Sequence, residues 1–229
     1  MTPGAFQGFA DVSRETLADF ETYAALIAKW QTKINLISPT TLDSIWDRHF
    51  ADSAQIFPLL DPGWARIVDL GTGAGFPGLV LALMAKGRGW KTRFHLVEAD
   101  GRKAAFLVEA AIALGIMNLT VQIHAVRAEI LAASPLAGTA DAVTARALAA
   151  LPDLFAHAAP LLRPDGVCLF LKGARADEEI AAAAAAGWRF EVSRHDSRLP
   201  GDGTILAISR LHSAGKSGRA GARHAIDET

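Results

Sequence analysis

The chain has 229 residues and a mass of 24.2 kDa, room for one ordinary domain with an extension but not for two full domains. With 51% hydrophobic and 21% charged residues it is excluded from the disordered class, and it is long enough to bury a core without staples. A net charge of −1 excludes a global attraction to nucleic acid, and the single cysteine, Cys168, excludes both an internal disulfide and a cysteine-based metal site.

Taken from the N-terminus, residues 1 to about 10 contain Pro3 and Gly4 and read as a loose arm. The start Met1-Thr2-Pro3-Gly4 lacks the basic residues and apolar run of a signal peptide, and no later stretch approaches the roughly 18 to 20 apolar residues that span a bilayer. The expectation is a soluble cytoplasmic monomer with no membrane partner and no metal. From Ser13 the residues Leu17, Phe20, Ala24, Ile27, Trp30 and Ile34 recur at steps of three and four, which predicts an amphipathic helix capped by Ser13 with Glu15 in its first turn. A second helical pattern follows Pro39, with Leu42, Ile45, His49, Ser53 and Ile56 on one side. Residues 1–62 therefore form a helical extension, closed by Asp61-Pro62-Gly63.

Beyond it, short apolar runs alternate with helical stretches. Strands are predicted at Arg66–Leu70, Thr92–Glu98, Leu119–His124, Ala140–Ala145, Gly166–Lys172, Phe190–His195 and Thr204–Ser209, and helices near 77–86, 101–114, 150–161 and 176–187. That alternation implies a mostly parallel sheet with helices on both faces. The turn Pro200-Gly201-Asp202-Gly203 is too short for a parallel crossover, so the last two strands form an antiparallel hairpin. An α/β chain of seven strands ending this way has the outline of the Rossmann-like class I methyltransferase fold over residues 63–210. Residues 211–229, with Lys216, Arg219 and Arg223, read as a flexible basic tail.

The segment Ile67-Val68-Asp69-Leu70-Gly71-Thr72-Gly73-Ala74-Gly75-Phe76-Pro77-Gly78 leaves a strand and enters a helix, and its glycines let backbone lie against a ligand. The spacing Gly73-x-Gly75-x-x-Gly78 also satisfies the dinucleotide fingerprint, so the glycines alone do not choose a cofactor. Asp69 favours the cationic amino-sulfonium end of S-adenosylmethionine, directly or through water, and would repel a pyrophosphate. The only tyrosine, Tyr23, lies in the N-terminal helix, so the Tyr-x-x-x-Lys pair of short-chain dehydrogenases is absent. Glu98, at the end of the second strand, is placed to accept hydrogen bonds from both ribose hydroxyls, with Asp100 as the alternative. Glu129, in Arg127-Ala128-Glu129 after the third strand, borders the position of an adenine.

The fourth strand ends Val143-Thr144-Ala145-Arg146, where the reactive methyl would lie. Neither the Asp/Asn-Pro-Pro-Tyr device used on exocyclic amines nor a Pro-Cys nucleophile is present there, and Cys168 reads as buried strand. Guanine N7 needs neither, because its lone pair attacks a sulfonium methyl without losing a proton. Arg146 would either contact guanine O6 or brace the loop. No catalytic acid or base is identified; Arg146, Lys172 and His49 are candidates for positioning.

Beyond these readings, Val68–Gly78, Arg127-Ala128-Glu129, Thr144-Ala145-Arg146-Ala147 and Leu171-Lys172-Gly173 together resemble the RsmG (GidB) family, bacterial 16S ribosomal RNA guanine-N7 methyltransferases. Trp30-Gln31-Thr32-Lys33-Ile34-Asn35-Leu36-Ile37 and Arg48-His49-Phe50-Ala51-Asp52-Ser53 match that family's helical start, and the resemblance covers about residues 20 to 210. It implies S-adenosyl-L-methionine as cofactor, with Gly71, Phe76, Ala128, Glu129 and Arg146 on cofactor-binding positions beside Asp69, Gly73, Gly75 and Glu98. It also implies 16S rRNA of the small subunit, or of its assembly particle, as partner. Arg48, His49 and Lys172 are the candidate RNA contacts, and Lys86, Arg88, Lys91, Arg93, Arg102 and Lys103 a candidate basic patch. The competing readings are a methyltransferase of another RNA or a small molecule, and a cofactor-binding ribosome assembly factor.

Overall fold

The computed structural model describes residues 1–214. Its centre is a seven-stranded sheet in the order β3-β2-β1-β4-β5-β7-β6. The strands are β1 (Arg66–Leu70), β2 (Arg93–Val97), β3 (Val121–His124), β4 (Ala140–Arg146), β5 (Leu162–Lys172), β6 (Trp188–Asp196) and β7 (Thr204–Ser213). The pairs β1–β2, β2–β3, β1–β4 and β4–β5 are parallel, while β7 runs antiparallel to both β5 and β6. Ile67–Leu70 and Ala140–Ala145 are buried without alternation, as central strands covered on both faces must be. Strand order reverses at β1 and β4, which opens a crevice at their carboxyl ends.

The helices are α1 (Pro3–Ala10), α2 (Arg14–Gln31), α3 (Asp52–Ala54), α4 (Gly78–Gly87), α5 (Gly101–Ala113), α6 (Leu151–Ala158) and α7 (Ala176–Ala185). Ser13 caps α2 by accepting from the Thr16 amide at 3.2 Å, with Glu15 in the first turn, as its sequence predicts. In α4 every residue from Gly78 to Ala85 is buried, because the sheet lies on one side and the N-terminal extension on the other. One core cluster joins Phe6, Phe20, Tyr23 and Phe50 of the extension to Phe76, Leu79 and Leu83 beside the sheet, so residues 1–62 and the sheet domain share a core. The opposite face packs Leu151, Leu154, Phe155 and Ala183 against Val68, Val143 and Phe170. No helix among the described residues is long and apolar enough to cross a membrane.

Four expectations need correction. Residues 1–10 are not a loose arm: Thr2 caps α1, and Phe6 is fully buried with its ring 4.8 Å from that of Phe20. The apolar contact made by Phe6 outweighs what Pro3 and Gly4 suggest locally. The helix after Pro39 is broken into a 3-10 turn (Pro39–Thr41), a π-helical turn (Trp46–Ala51) and the short α3. The π-turn's widened backbone leaves Arg48 exposed and turns His49 and Phe50 inward. The tail does not begin at 211, since β7 continues to Ser213; the rest of the basic segment lies outside the described residues. Finally, the six basic residues form no single patch. Arg93 opens β2 and Arg102 follows its far end, while Lys86 is tied to Asp19 and Arg88 to Asp11.

Candidate functional site

The loop between β1 and α4 lies in the crevice, and each of its glycines answers a different demand. Gly71, Gly73 and Gly75 have φ values of 61°, 60° and 101°, a region that side chains disfavour. A Cβ on Gly73 would meet nothing nearer than the Gly71 carbonyl at 4.0 Å, so this glycine faces open space. A Cβ on Gly71 would collide with Leu148, one on Gly75 with the Tyr23 hydroxyl and Leu79, and one on Gly78 with Leu96 and Asp69. Gly75 and Gly78 are thus small for the sake of packing. Only Gly73 leaves the kind of gap a ligand's backbone approach requires.

Asp69 is fully buried beneath this loop. Its carboxylate accepts from the Gly78 amide at 3.0 Å and from the Thr144 hydroxyl at 2.6 Å, stapling the start of α4 to the end of β4. Burial raises its pKa from 3.8 to about 6, against the opposing hydrogen bonds from Thr144 and Gly78. A direct contact between Asp69 and a cofactor, expected from its position in sequence, is closed off in this arrangement. Its influence reaches the crevice through the loop it holds.

Glu98 bridges in the same way. One carboxylate oxygen accepts from the Gly73 amide at 2.8 Å and the other from the Asp100 amide at 2.8 Å. Each oxygen keeps a second lone pair. Asp100 spends a carboxylate oxygen on the Arg102 and Lys103 amides as the cap of α5, which leaves Glu98 the better placed acid of the two. Ala128 and Glu129 open a 3-10 segment after β3, with Glu129 exposed and its nearest ion partner His157 at 3.9 Å.

At the end of β4 the Arg146 guanidinium joins the two halves of the chain. Nη1 donates to the Arg48 carbonyl at 2.9 Å and to Asp52 at 3.2 Å, and Nη2 donates to His49 Nδ1 at 2.6 Å. The guanidinium carbon also sits 5.0 Å from the centre of the Phe76 ring, on which the His49 ring stacks at 4.9 Å. The Thr41 hydroxyl donates to the Ser38 carbonyl at 2.9 Å, so it accepts from His49 Nε2 at 2.8 Å. His49 therefore carries its proton on Nε2 and presents a lone pair to Arg146. Burial, then the Arg146 and Arg48 charges, lower its pKa from 6.5 to about 3. Burial also lowers the pKa of Arg146, with Asp52 opposing it.

Lys172 is corrected as a candidate RNA contact. Its side chain is 6% exposed, and its ammonium is bound to the Ala149 carbonyl at 2.8 Å and to Glu179 at 2.7 Å. Because Glu179 also accepts from the Leu151 amide at 2.9 Å, the pair braces the loop that follows β4. Arg48, by contrast, is exposed. Among the described residues no group of three or more His, Cys, Asp or Glu could hold a metal.

Sequence reasoning passed over Tyr23, Thr41, Asp52 and Leu148. The signal for Tyr23 was its apolar spacing with Phe20 and Ile27; for Leu148 it was an apolar residue just past a strand end in the crevice. Nothing local marks Thr41 or Asp52, whose partners lie on other elements.

The fold is shared with solved transferases of low sequence identity. A ribosomal protein L11 methylase from Lactobacillus delbrueckii subsp. bulgaricus superposes with a TM-score of 0.55 at 22% identity, covering 72% of this chain and 79% of that one. A putative transferase from Pyrococcus horikoshii gives 0.54 at 14% identity, covering 80% and 66%. Sequence similarity is much closer to proteins named ribosomal RNA small subunit methyltransferase G. That of Rhodospirillum centenum is 48% identical over 206 residues, 90% of this chain and 89% of the relative. That of Rhodospirillum rubrum is 46% identical over 214 residues, 93% and 100%. The family model described as GidB, rRNA small subunit methyltransferase G, matches residues 16–196, and with these relatives it shows that the chain belongs to this family.

Proposed function

We propose that the protein transfers the methyl group of S-adenosyl-L-methionine to N7 of a guanine in 16S rRNA of the small subunit or its assembly particle, acting as a cytoplasmic monomer. The names of its relatives support a small-subunit rRNA substrate. The observation that carries the N7 assignment is that neither His49 nor Asp69, titratable groups bonded to the end of β4, is free to take a proton. His49 has both ring nitrogens engaged, and Asp69 is sealed under the loop.

The residues fit the cofactor. Gly73 leaves space where a Cβ would stand, the Glu98 carboxylate has lone pairs to spare at the end of β2, and Ala128 and Glu129 flank the next strand end. When bound, S-adenosylmethionine supplies a methyl group on a cationic sulfur. The chain's part is then to orient and exclude: Gly73 admits the ligand's approach, Gly71 makes the turn beside Leu148 that leads to it, Glu98 accepts from ribose hydroxyls, and Asp69 keeps the loop in place. Arg146 is anchored by Asp52, His49 and the Arg48 carbonyl, and so holds a fixed guanidinium at the mouth of the site. N7 attacks through a lone pair and loses no proton, so alignment of the reacting atoms at about 3 Å is the main requirement. Exposed Arg48 would take an RNA phosphate.

The test is to map N7-methylguanine by chemical cleavage in rRNA from cells with and without the gene, then to restore the mark with purified protein and labelled cofactor. Loss and restoration of one site in 16S rRNA is the expected result. Label appearing in another RNA, in a small molecule or nowhere would reject the assignment.

A further inference from the structure

The loop that faces the cofactor is held from outside its own domain. Tyr23, on α2 of the N-terminal extension, is fully buried, and its hydroxyl donates to the Ala74 carbonyl at the tip of the glycine loop. No other hydrogen bond to that carbonyl is found among the described residues, and Ala74 is itself 2% exposed. The same hydroxyl occupies the place a Gly75 side chain would take. The ring is fixed in turn by Phe50, Phe76 and Phe106, with centroids 5.4, 5.8 and 6.4 Å away. The phenol therefore has one partner and little freedom to choose another.

We infer that Tyr23 is a positioning residue of the cofactor site, its hydroxyl holding the Gly73–Gly75 backbone in the left-handed conformation that the cofactor meets. This rests on the reading that the glycine loop binds the cofactor. A loop with Gly73 and Gly75 both in the left-handed region has many other conformations open to it, and among the described residues the Ala74 carbonyl is its one hydrogen-bonded anchor outside the sheet domain. Without the hydroxyl the free loop relaxes until water satisfies that carbonyl. Cofactor binding must then reverse the relaxation, and its affinity falls. Burial raises the phenol's pKa well above 10, so the donor is present across any assay range.

The experiment compares Tyr23→Phe with wild type by calorimetry against S-adenosylmethionine and S-adenosylhomocysteine, alongside steady-state kinetics on rRNA. Phenylalanine keeps the ring and its aromatic neighbours and removes only the donor. The expected result is a dissociation constant and a cofactor KM raised about three- to thirtyfold, with kcat at saturating cofactor within about twofold of wild type. A lowered melting temperature with unchanged cofactor affinity would overturn the inference and leave Tyr23 a packing residue. Gly73→Val, measured in parallel, separates this failure from failure of the loop assignment, since it must lose binding whatever Tyr23 does. Should Tyr23→Phe not fold, 3-fluorotyrosine placed at this position, the only tyrosine in the chain, gives a single fluorine resonance. That resonance should shift when cofactor is added; a signal indifferent to saturating cofactor would overturn the inference equally.

Discussion

Arg146 and His49, 97 residues apart, meet in a 2.6 Å hydrogen bond in which the guanidinium donates and the imidazole Nδ1 accepts. The bond defines both partners. It fixes His49 as the neutral Nε2 tautomer and ties the end of β4 to the π-turn that carries Arg48. His49 thus acts as a strut between the cofactor side of the crevice and the exposed arginine beside it.

Acid should break that strut. His49 is held neutral down to about pH 3 in the folded protein, against an ordinary value of 6.5. Between those values the unfolded chain binds a proton that the folded chain does not, so stability falls as pH drops below about 6.5. His95, lowered by burial to about 4, acts in the same direction. Asp69, raised to about 6 from 3.8, acts in the opposite one, since it is the folded chain that binds the extra proton there. His49→Gln can still accept from Arg146 and donate to Thr41 but cannot titrate. Urea unfolding at a series of pH values from about 7 to 5 should show a shallower loss of stability in this variant than in wild type. Equal slopes would mean that His49 does not carry the effect.

The glycines should separate by mechanism. Gly73→Ala places a Cβ in open space at φ 60°, so the fold should lose only about 1–2 kcal/mol while cofactor affinity drops sharply. Gly78→Ala drives a Cβ to within 2.6 Å of the Asp69 carboxylate, so unfolding should be the main result, with about 1–3 kcal/mol lost to overpacking. Calorimetry and thermal melting on the pair check this; a Gly73→Ala protein with wild-type affinity would remove that residue from the site.

Most of the architecture was legible because strand alternation, the Ser13 cap and the Gly-rich turn are local signals. Residues 66–70 and 101–113 follow their sequence patterns closely. What escaped reading depends on residues far apart in the chain. Phe6 orders α1 by packing on Phe20 and Phe50, and no pattern within residues 1–10 announces that. Glu98 and Asp69 were found from their places at strand ends, but their bonds to the Gly73 and Gly78 amides were not. Lys172 looked like a free cation because its partners, Ala149 and Glu179, lie on other elements.

Those partners give Lys172 and Arg48 opposite signatures. Arg48→Gln should weaken RNA binding and lower the slope of log affinity against log salt by about 1, as expected when one phosphate is no longer neutralised. Lys172→Met should leave that slope unchanged. It should instead destabilise the fold by about 3 kcal/mol, because Glu179 loses the partner of a largely buried pair. Filter binding at several salt concentrations, with denaturation of the same variants, distinguishes the two; a reduced slope for Lys172→Met would return that residue to the RNA surface.

The chemical step provides the sharpest check on guanine N7. If N7 is the nucleophile, it enters unprotonated near neutral pH, and no side chain must gain or lose a proton to make product. The residues nearest the end of β4 are consistent with this. His49 titrates at about 3, far too low for a general base at neutral pH, and its lone pair already receives an Arg146 proton. Asp69 titrates at about 6 but is sealed beneath Gly78 and Thr144. The single-turnover rate at saturating cofactor and RNA should therefore be nearly flat between about pH 6.5 and 8.5, without the bell shape of an essential acid–base pair. His49→Gln should lower this rate through the lost ring stacking on Phe76 but create no new pH dependence. A decline confined to below about pH 6 would reflect protonation of Asp69 and loosening of the loop, and cofactor affinity should fall with it. A roughly tenfold rise per pH unit across the neutral range, with RNA binding constant, would instead require a proton acceptor. It would reject direct attack by N7 and make an exocyclic amine or a hydroxyl the methyl acceptor.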